Sequence, residues 1–428
     1  MLNRPAQPSP AWTSPPLAPT TGPRLLAGWV ETARPADLAA HIARYGPLPA
    51  VGPELIATVH AAGLRGRGGA WFPTGTKLTA VAAGRRRAVV VGNGAEGEPA
   101  SHKDHALLTV APHLVLDGMV LAATAVGADE AILCVHRGDP LAVTVRAAIG
   151  QRAGDPVPVR LVETPVRFVA SEESALVNFL NTGEARPTDR PPRAYERGVR
   201  GRPTLVDNVE TLANVALIAR YGADWFRATG TPDAPGTMLV TVGGAVVRPG
   251  VREMPLGTTV ATALGVGGGL AEPAGAVLVG GFGGTWLPLP PANDARLAPG
   301  ELPLGVGILL ALPARACGLA TTTRIMRYLA GESAMQCGPC MFGLAAIVGD
   351  LEALTMGGPT LDRLRHRLGM VNGRGACAHP NGAVRLAASA LTAFADDVAA
   401  HAAGRPCAGV GVESGIRVPA GGMGLGWR

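Results

Sequence analysis

Lysine is nearly absent from this chain. Of 38 lysines and arginines, only Lys77 and Lys103 are lysine. Aromatic residues are 4% and charged residues 16%. The net charge of +6 has no basic, aromatic-interleaved stripe behind it, which argues against nucleic acid as a partner. Long hydrophobic runs are missing too. The longest, Leu304 to Ala314, is too short to cross a bilayer and contains Pro313, so no direct membrane insertion is expected. The first 24 residues hold seven prolines and no apolar core of a signal peptide, and they read as a disordered tail. Six cysteines in 428 residues do not make a disulfide scaffold. In a soluble cytoplasmic protein, which this composition suggests, they point to metal or redox work. The length is enough for roughly two to four domains with a sizeable core.

What is present is glycine, 59 residues of it, clustered into motifs. The densest motif runs from Gly63 to Lys77, G-L-R-G-R-G-G-A-W-F-P-T-G-T-K. Backbone N–H groups freed of side chains can approach a ligand closely and cradle phosphate. A composition biased so far toward arginine keeps lysine where a compact ammonium fits and a planar guanidinium does not. Both lysines fall in glycine-rich motifs, so both motifs are candidate ligand sites.

The order of elements suggests an α/β domain with a parallel sheet. Short helices are expected over 35–44 and 53–62, strands over 85–91, 130–136 and 157–162, and a helix over 113–126. Helices should start near Ser171 and near Val206. Residues 238–307 are strand- and turn-rich and read as a small α+β module. From Pro313 to about Ala400 the pattern is helical (319–329, 340–354, 361–368, 383–399), as in a bundle. Residues 404–428 read as a loose glycine-rich tail.

Three further motifs carry chemistry. The first, Gly92 to Asp104, follows a strand and spells G-x-G-x-x-G, but Glu96 and Glu98 would face a pyrophosphate and no clear helix start follows Pro99. Acids in a glycine loop suit hydroxyl or amide groups instead, and the plainer reading is an exposed acidic turn. The second, Phe168 to Leu176, sets Glu172 and Glu173 at a helix start, where they either hold a ligand or cap the helix. In the third, Thr204 to Leu212, Asp207 or Asn208 can cap or touch a ligand. Cys337-Gly-Pro-Cys340 with the later Cys377 and His379 suggests redox, zinc or iron–sulfur chemistry, the extra cysteine favouring metal. Cys134, Cys317 and Cys407 read as small packing residues or tail.

In this order, these segments resemble the NADH-binding flavoprotein subunit of respiratory complex I and its relatives in NAD-linked hydrogenases and formate dehydrogenases. That family shows G-L-R-G-R-G-G-A-G-F-P-T-G-x-K-W, then acid-rich, E-E-T-A-L and V-N-N-V-E-T-L motifs, then a C-x-x-C-x-x-C run and a distant cysteine. The resemblance covers Gly63 to Cys377. It implies an α/β fold with a Rossmann-like FMN/NADH domain (25–235), a ubiquitin-like, soluble-ligand-binding β-grasp module (236–310) and a helical iron–sulfur bundle (311–402), flanked by tails at 1–24 and 403–428. It implies FMN, NADH and a [4Fe–4S] cluster as cofactors. It also implies an iron–sulfur or ferredoxin-like partner subunit and a cytoplasmic position, at most peripheral to a membrane complex.

Carried over by motif, Gly66, Arg67, Gly68 and Gly69 form the nucleotide loop and Phe72 stacks on NADH. Lys77, Asn93 and Asn208 contact flavin, with Phe168, Glu172 and Asp207 beside them. Glu96 and Glu173 are the NADH-facing acids and the candidate catalytic pair, and Cys337, Cys340 and Cys377 are the cluster ligands. The implied activity is NADH oxidation with electrons passed through FMN to the cluster and a protein partner. A scaffold subunit that has lost turnover is the alternative.

Several positions depart from the family. Trp71 stands for a glycine, where an indole would crowd the nicotinamide path. Ala95 stands for an acid, Phe168 for a tyrosine, Ser171 for a glycine and Asp207 for an asparagine. Ala334 stands where the first cluster cysteine belongs. The fourth cluster ligand is left open among Glu332, Ser333, His379, a partner residue and solvent, with a Cys₃His zinc site or loss of the cluster as rivals.

Overall fold

The computed structural model describes residues 24–188, 191–421 and 426–428. The expected proline-rich tail lies almost wholly outside the described residues. Four helices lead in: α1 (Ala27–Thr32), α2 (Leu38–Tyr45), α3 (Glu54–Ala62) and α4 (Thr74–Ala82). Then come β1 (Ala88–Asn93), α5 (Lys103–Val110), α6 (Pro112–Val126), β2 (Ala128–His136), α7 (Leu141–Gly150) and β3 (Val159–Thr164). Next come α8 (Glu173–Thr182), α9 (Ala194–Arg197), β4 (Thr204–Asn208) and α10 (Val209–Arg227).

Strands β1 to β4 form one parallel sheet in the order β3-β2-β1-β4. Val89, Val90 and Val91 are fully buried, as expected of a parallel strand covered on both faces. The three arginines before it are exposed, which delays the strand from the expected 85 to 88. From β1 the chain goes to β2 and β3 on one side, then to β4 on the other. That reversal opens a crevice beyond the carboxyl ends of β1 and β4.

The expected helix start near Val206 is a strand first. Residues 204–208 pair with β1, and Asn208 ends β4 while also capping α10, its side chain accepting from the Glu210 N–H at 3.0 Å. The helix that the sequence does not announce after Pro99 is α5. Helices α6 and α10 cross so tightly that a Cβ on Gly118 would sit 1.8 Å from the Leu212 carbonyl oxygen. Beside that crossing, Asp117 is buried among His41 (2.8 Å), Arg152 (2.6 Å) and Arg220.

The middle of the chain holds β5 (Thr237–Gly244), β6 (Gly250–Pro255), α11 (Val260–Val266), β7 (Ala274–Val279), β8 (Thr285–Pro288) and β9 (Ile308–Pro313). They make a second sheet, order β6-β5-β9-β7-β8, in which only β5 and β9 run parallel. Five helices follow: α12 (Gly318–Gly331), α13 (Leu344–Thr355), α14 (Leu361–Val371), α15 (His379–Ala393) and α16 (Ala395–Ala402). On α12, the buried Leu319, Thr322, Ile325, Met326 and Leu329 recur at helical spacing and face a core shared with Leu344, Ile347, Leu351 and Leu386. The glycine-rich end, expected to be loose, is packed where it is described. Ser414 and Ile416 are buried, and the Trp427 ring lies under the guanidinium groups of Arg167 and Arg186, at 4.2 and 5.3 Å. Among the described residues, no single helix is long and apolar enough to cross a membrane.

Candidate functional site

The crevice beyond β1 and β4 collects most of the motif residues. Asn93 and Asn208 are register partners at the ends of the two strands. The Asn93 amide donates to the Ser171 carbonyl at 2.8 Å, tying the strand end to the turn before α8. Lys77 reaches in from α4. Its ammonium donates to the Val206 carbonyl and lies 3.5 Å from Asp207 and 3.3 Å from Glu173. Burial works against its charge, but the two carboxylates outweigh burial and raise its pKa. Asp207 is 6% exposed, and burial raises its pKa although Lys77 partly offsets this. Its second oxygen, Oδ2, is buried without a hydrogen-bond partner. Such an orphan in a crevice is what a ligand donor would satisfy.

The glycine loop closes the crevice from the side. Gly66 donates to the Phe72 carbonyl and Thr74 to the Leu64 carbonyl, at 2.8 and 2.9 Å, so residues 65–73 form a pinned loop. Internal packing does not demand glycine at two of its positions. A Cβ on Gly66 would come no nearer than 3.6 Å to other atoms, and one on Gly68 would stop 3.4 Å from the Asn208 Cβ. Gly94 and Gly97 differ: their Cβ atoms would strike Leu108 at 2.7 Å and Ser171 at 2.3 Å. The backbone is therefore bare at Gly66 and Gly68, and at Gly68 it lies against Asn208 at the end of β4, where a flat or phosphorylated group fits beside it. Gly69 is held at φ +106°, which requires glycine. Phe72 stands 53% exposed at the loop edge, free to stack on a ring.

Four expected ligand contacts are turned inward or spent on helix caps. Arg67 is 1% exposed. Its guanidinium donates to the Thr237 and Arg65 carbonyls, lies 3.6 Å from Glu210 and covers the Trp71 ring at 4.7 Å. It ties the loop to β5 and α10. Phe168 faces Tyr328 (6.2 Å) and His379 (5.3 Å) on the helical side, and its N–H donates to Glu332, so it sits between crevice and bundle. Glu96 caps α5, accepting from the Lys103, Asp104 and His105 N–H groups at 2.9–3.3 Å and from the Ser101 hydroxyl. Burial, with Asp104 nearby, raises its pKa to about 7. Glu172 likewise caps α8 through Ser174 and Ala175.

The expectation that Lys103 marks a second ligand site is not met. Lys103 is 1% exposed and bonds Asp104 (2.7 Å), Asn208 (3.0 Å) and Glu210 (3.0 Å). It is an internal strut that fixes the Asn208 side chain, which also donates to Asp104 at 2.7 Å. Asp104 and Glu210 thus belong to the site's support; both lie inside motifs the sequence singles out, but nothing there shows that they meet Lys103. The Trp71 indole does not crowd the crevice. It packs into the core of the second sheet and donates to the Gly305 carbonyl at 2.9 Å. Its backbone is at φ +54°, left-handed, where the family's glycine would be unstrained.

In the helical layer, Cys340 sits in a π-helical turn, Pro339–Gly343. Burial and the nearby Cys337 and Cys377 thiols push its own thiol up to about 12. Among the described residues, one group of three ligating side chains lies mutually within 4.8 Å, and it is not these three. Ala334 is buried where the missing cysteine would stand. The neighbouring Ser333 hydroxyl lies beside Cys340 and is buried without a conventional hydrogen-bond partner. His379 turns elsewhere, Nε2 toward the Leu329 carbonyl at 2.8 Å and its ring toward Phe168.

The close group is Cys317, His401 and Cys407. In the sequence both of these cysteines read as packing or tail residues, and both do pack against the core of the helical layer; what the sequence does not show is that they meet His401 there. Cys134, by contrast, is a buried β2 residue in an apolar cluster.

Residues 59–217 match the family described as the Nuo51 FMN-binding domain, and residues 320–401 match the NADH-ubiquinone oxidoreductase-F iron-sulfur binding region. The F subunit of the NADH-quinone oxidoreductase of Streptomyces coelicolor is 32% identical over 380 residues, covering 83% of this chain and 84% of that protein. The NAD-reducing hydrogenase HoxS subunit alpha of Cupriavidus necator is 34% identical over 308 residues. That match takes in 68% of this chain but only 50% of the relative. A crystal structure of an NAD⁺-reducing [NiFe]-hydrogenase in the H₂-reduced state superposes with a TM-score of 0.82 at 32% identity, over 89% of this chain and 67% of that one. On the glycine loop, the crevice and these matches, the chain belongs to the family of NADH-quinone oxidoreductase F subunits.

Proposed function

We propose that this chain is the NADH-oxidising, FMN- and iron–sulfur-dependent electron-transfer subunit of a larger oxidoreductase. The observation that carries the reading is the crevice itself: Lys77, Asn93, Asn208 and the unpartnered Asp207 Oδ2 beyond β1 and β4, with the glycine loop brought against Asn208 at Gly68. FMN, when bound, accepts a hydride from NADH and releases its electrons singly to an iron–sulfur centre. Gly66, Gly68 and Gly69 would lie against it, and Lys77 would place a fixed positive charge beside it. Asn93, held by the Ser171 carbonyl, would offer its remaining amide capacity without reorganisation, while Asn208, whose amide is fully engaged by Lys103, Asp104, the Glu210 N–H and the Asn93 carbonyl, would brace the crevice wall. Phe72 would stack on the dinucleotide. Glu173 is the carboxylate left at the entrance for NADH and against the extra phosphate of NADPH. Glu96 and Glu172 position their helices, Arg67 braces the loop, and Phe168 packs toward the bundle.

The middle sheet, with a central parallel pair, antiparallel flanks and α11 between β6 and β7, supports the ubiquitin-like β-grasp reading over 236–310, between an FMN/NADH domain at 25–235 and the bundle at 311–402. Cys337, Cys340 and Cys377 would hold the cluster, with the Ser333 hydroxyl as the fourth ligand in place of Ala334. An oxygen ligand on one iron makes that iron the labile one. A partner subunit carrying its own iron–sulfur centre would accept the electrons.

The test is flavin and iron analysis of anaerobically purified chain, followed by steady-state kinetics with both nucleotides. One FMN and about four irons per chain, with NADH preferred over NADPH, support the reading. A colourless protein made with FMN and iron supplied would make the chain a scaffold subunit.

A further inference from the structure

Cys317, His401 and Cys407 come from three places in the chain. Cys317 is the N-terminal cap of α12, His401 lies in the last turn of α16, and Cys407 follows six residues later. Their ligating atoms all lie within 4.8 Å of one another. The Cys317 Sγ to His401 Nε2 distance is 3.7 Å. A sulfur and a nitrogen on one tetrahedral zinc are separated by about 3.6 Å, from bond lengths near 2.3 and 2.05 Å. Cys317 and His401 are buried and Cys407 is half-buried.

The surroundings fit a metal shell rather than three chance neighbours. His401 Nδ1 donates to the Thr355 carbonyl at 2.8 Å, which fixes the tautomer and leaves the Nε2 lone pair facing the sulfurs. Ligating histidines are held in this way by backbone carbonyls. That lone pair also accepts the Cys407 N–H at 3.3 Å, a long bond that an ion between the three ligands would replace. Cys317 Sγ accepts the Ala320 N–H at 3.3 Å, at the positive end of a helix, where a thiolate is favoured. Two thiolates and one Zn²⁺ give a neutral centre, and two protons leave to solvent on binding. The iron–sulfur match begins at residue 320 and ends at 401, so two of the three ligands fall outside it.

We propose that Cys317, His401 and Cys407 bind one Zn²⁺, distinct from the iron–sulfur centre, with solvent in the fourth position. The ion pins the C-terminal segment onto the helical layer. Cys317 also donates its own N–H to the Gly409 carbonyl at 3.1 Å, and a Cβ on Gly409 would sit 2.6 Å from backbone, so the segment lies flush against the start of α12. Beyond it, Ser414 accepts from Arg324, and Trp427 ends between Arg167 and Arg186 of the nucleotide domain.

The experiment is zinc and iron analysis of the full chain, with X-ray absorption at the zinc edge. One zinc per chain, bonded to two sulfurs near 2.3 Å and one imidazole nitrogen near 2.0 Å, is expected. Cys407→Ser should lose at least nine-tenths of that zinc, keep its iron and flavin, and become several-fold more sensitive to proteolysis after residue 403. Three results overturn the proposal: no zinc after growth with zinc supplied, zinc that survives Cys407→Ser but is lost in Cys337→Ser, or a Cys317–Cys407 disulfide in the alkylated peptide map. The zinc-edge measurement on the unaltered chain decides the matter even if the variant misfolds.

Discussion

Replacing Lys77 by methionine removes the one ammonium facing Asp207 and Glu173. At 3.5 Å, an ion pair is worth about 4–5 kcal/mol at an effective dielectric near 20. The Lys77 side chain is 22% exposed, and solvent screening cuts this to about 2 kcal/mol. Asp207, with an unpartnered oxygen already, is then left without a counter-charge. The penalty must depend on pH, and its sign is fixed. The Asp207 pKa is raised in the folded chain by burial. Such a carboxyl binds more protons folded than unfolded, so its ionisation subtracts stability as pH rises from its unfolded pKa, about 4, through the folded value. Lys77 limits that loss, and removing Lys77 raises the Asp207 pKa further. Lys77→Met should therefore cost most near pH 8 and progressively less toward pH 5. Urea midpoints of flavin-free protein at the two pH values read the difference. An equal loss at both, or none at either, would refute a charge-coupled Lys77–Asp207 pair.

Glu98 accepts from the Phe282 N–H at 2.8 Å, and burial raises its pKa to about 8. The native chain should lose stability between roughly pH 4 and pH 8 on this account, and Glu98→Gln should flatten that slope; parallel melting curves would count against it. Asp117 is the opposite case. Despite burial, His41, Arg152 and Arg220 hold its pKa down to about 2, so its contribution is present above its unfolded pKa and fades as pH falls toward 2. Asp117→Asn should cost about 3–5 kcal/mol in denaturant titrations at pH 7. Gly66→Ala, with 3.6 Å of room, should fold normally by circular dichroism yet bind FMN at least tenfold more weakly. Cys340→Ser should lose the cluster's iron while its FMN content is unchanged.

The motifs are legible because their residue types have few other uses together. Lys77, Asn93, Asp207 and Asn208 do converge on one crevice, although they come from α4, β1 and β4 and lie far apart in the chain. What the sequence does not show is which way each side chain points. Arg67 and Lys103 sit in glycine motifs, but both are drawn inward by Glu210, whose burial depends on the packing of α10 beneath the second sheet. Strand β4 looks like the start of a helix because Asn208 ends one element and caps the next with no turn residue between. The Trp71 indole looks like an obstruction, since sequence does not show that Gly305 lies across from it. Cys317 and His401 are 84 residues apart, on elements brought together only by the packing of the helical layer, so no spacing rule pairs them.

An anaerobic titration of the purified chain with NADH, followed through the visible flavin band, bears most directly on whether the crevice is a flavin site open to a dinucleotide. The account predicts one bound FMN per chain, bleached by stoichiometric NADH, and Gly66→Ala protein that stays folded but shows little flavin to bleach. Flavin that remains oxidised under excess NADH, or Gly66→Ala protein with undiminished FMN, would contradict it.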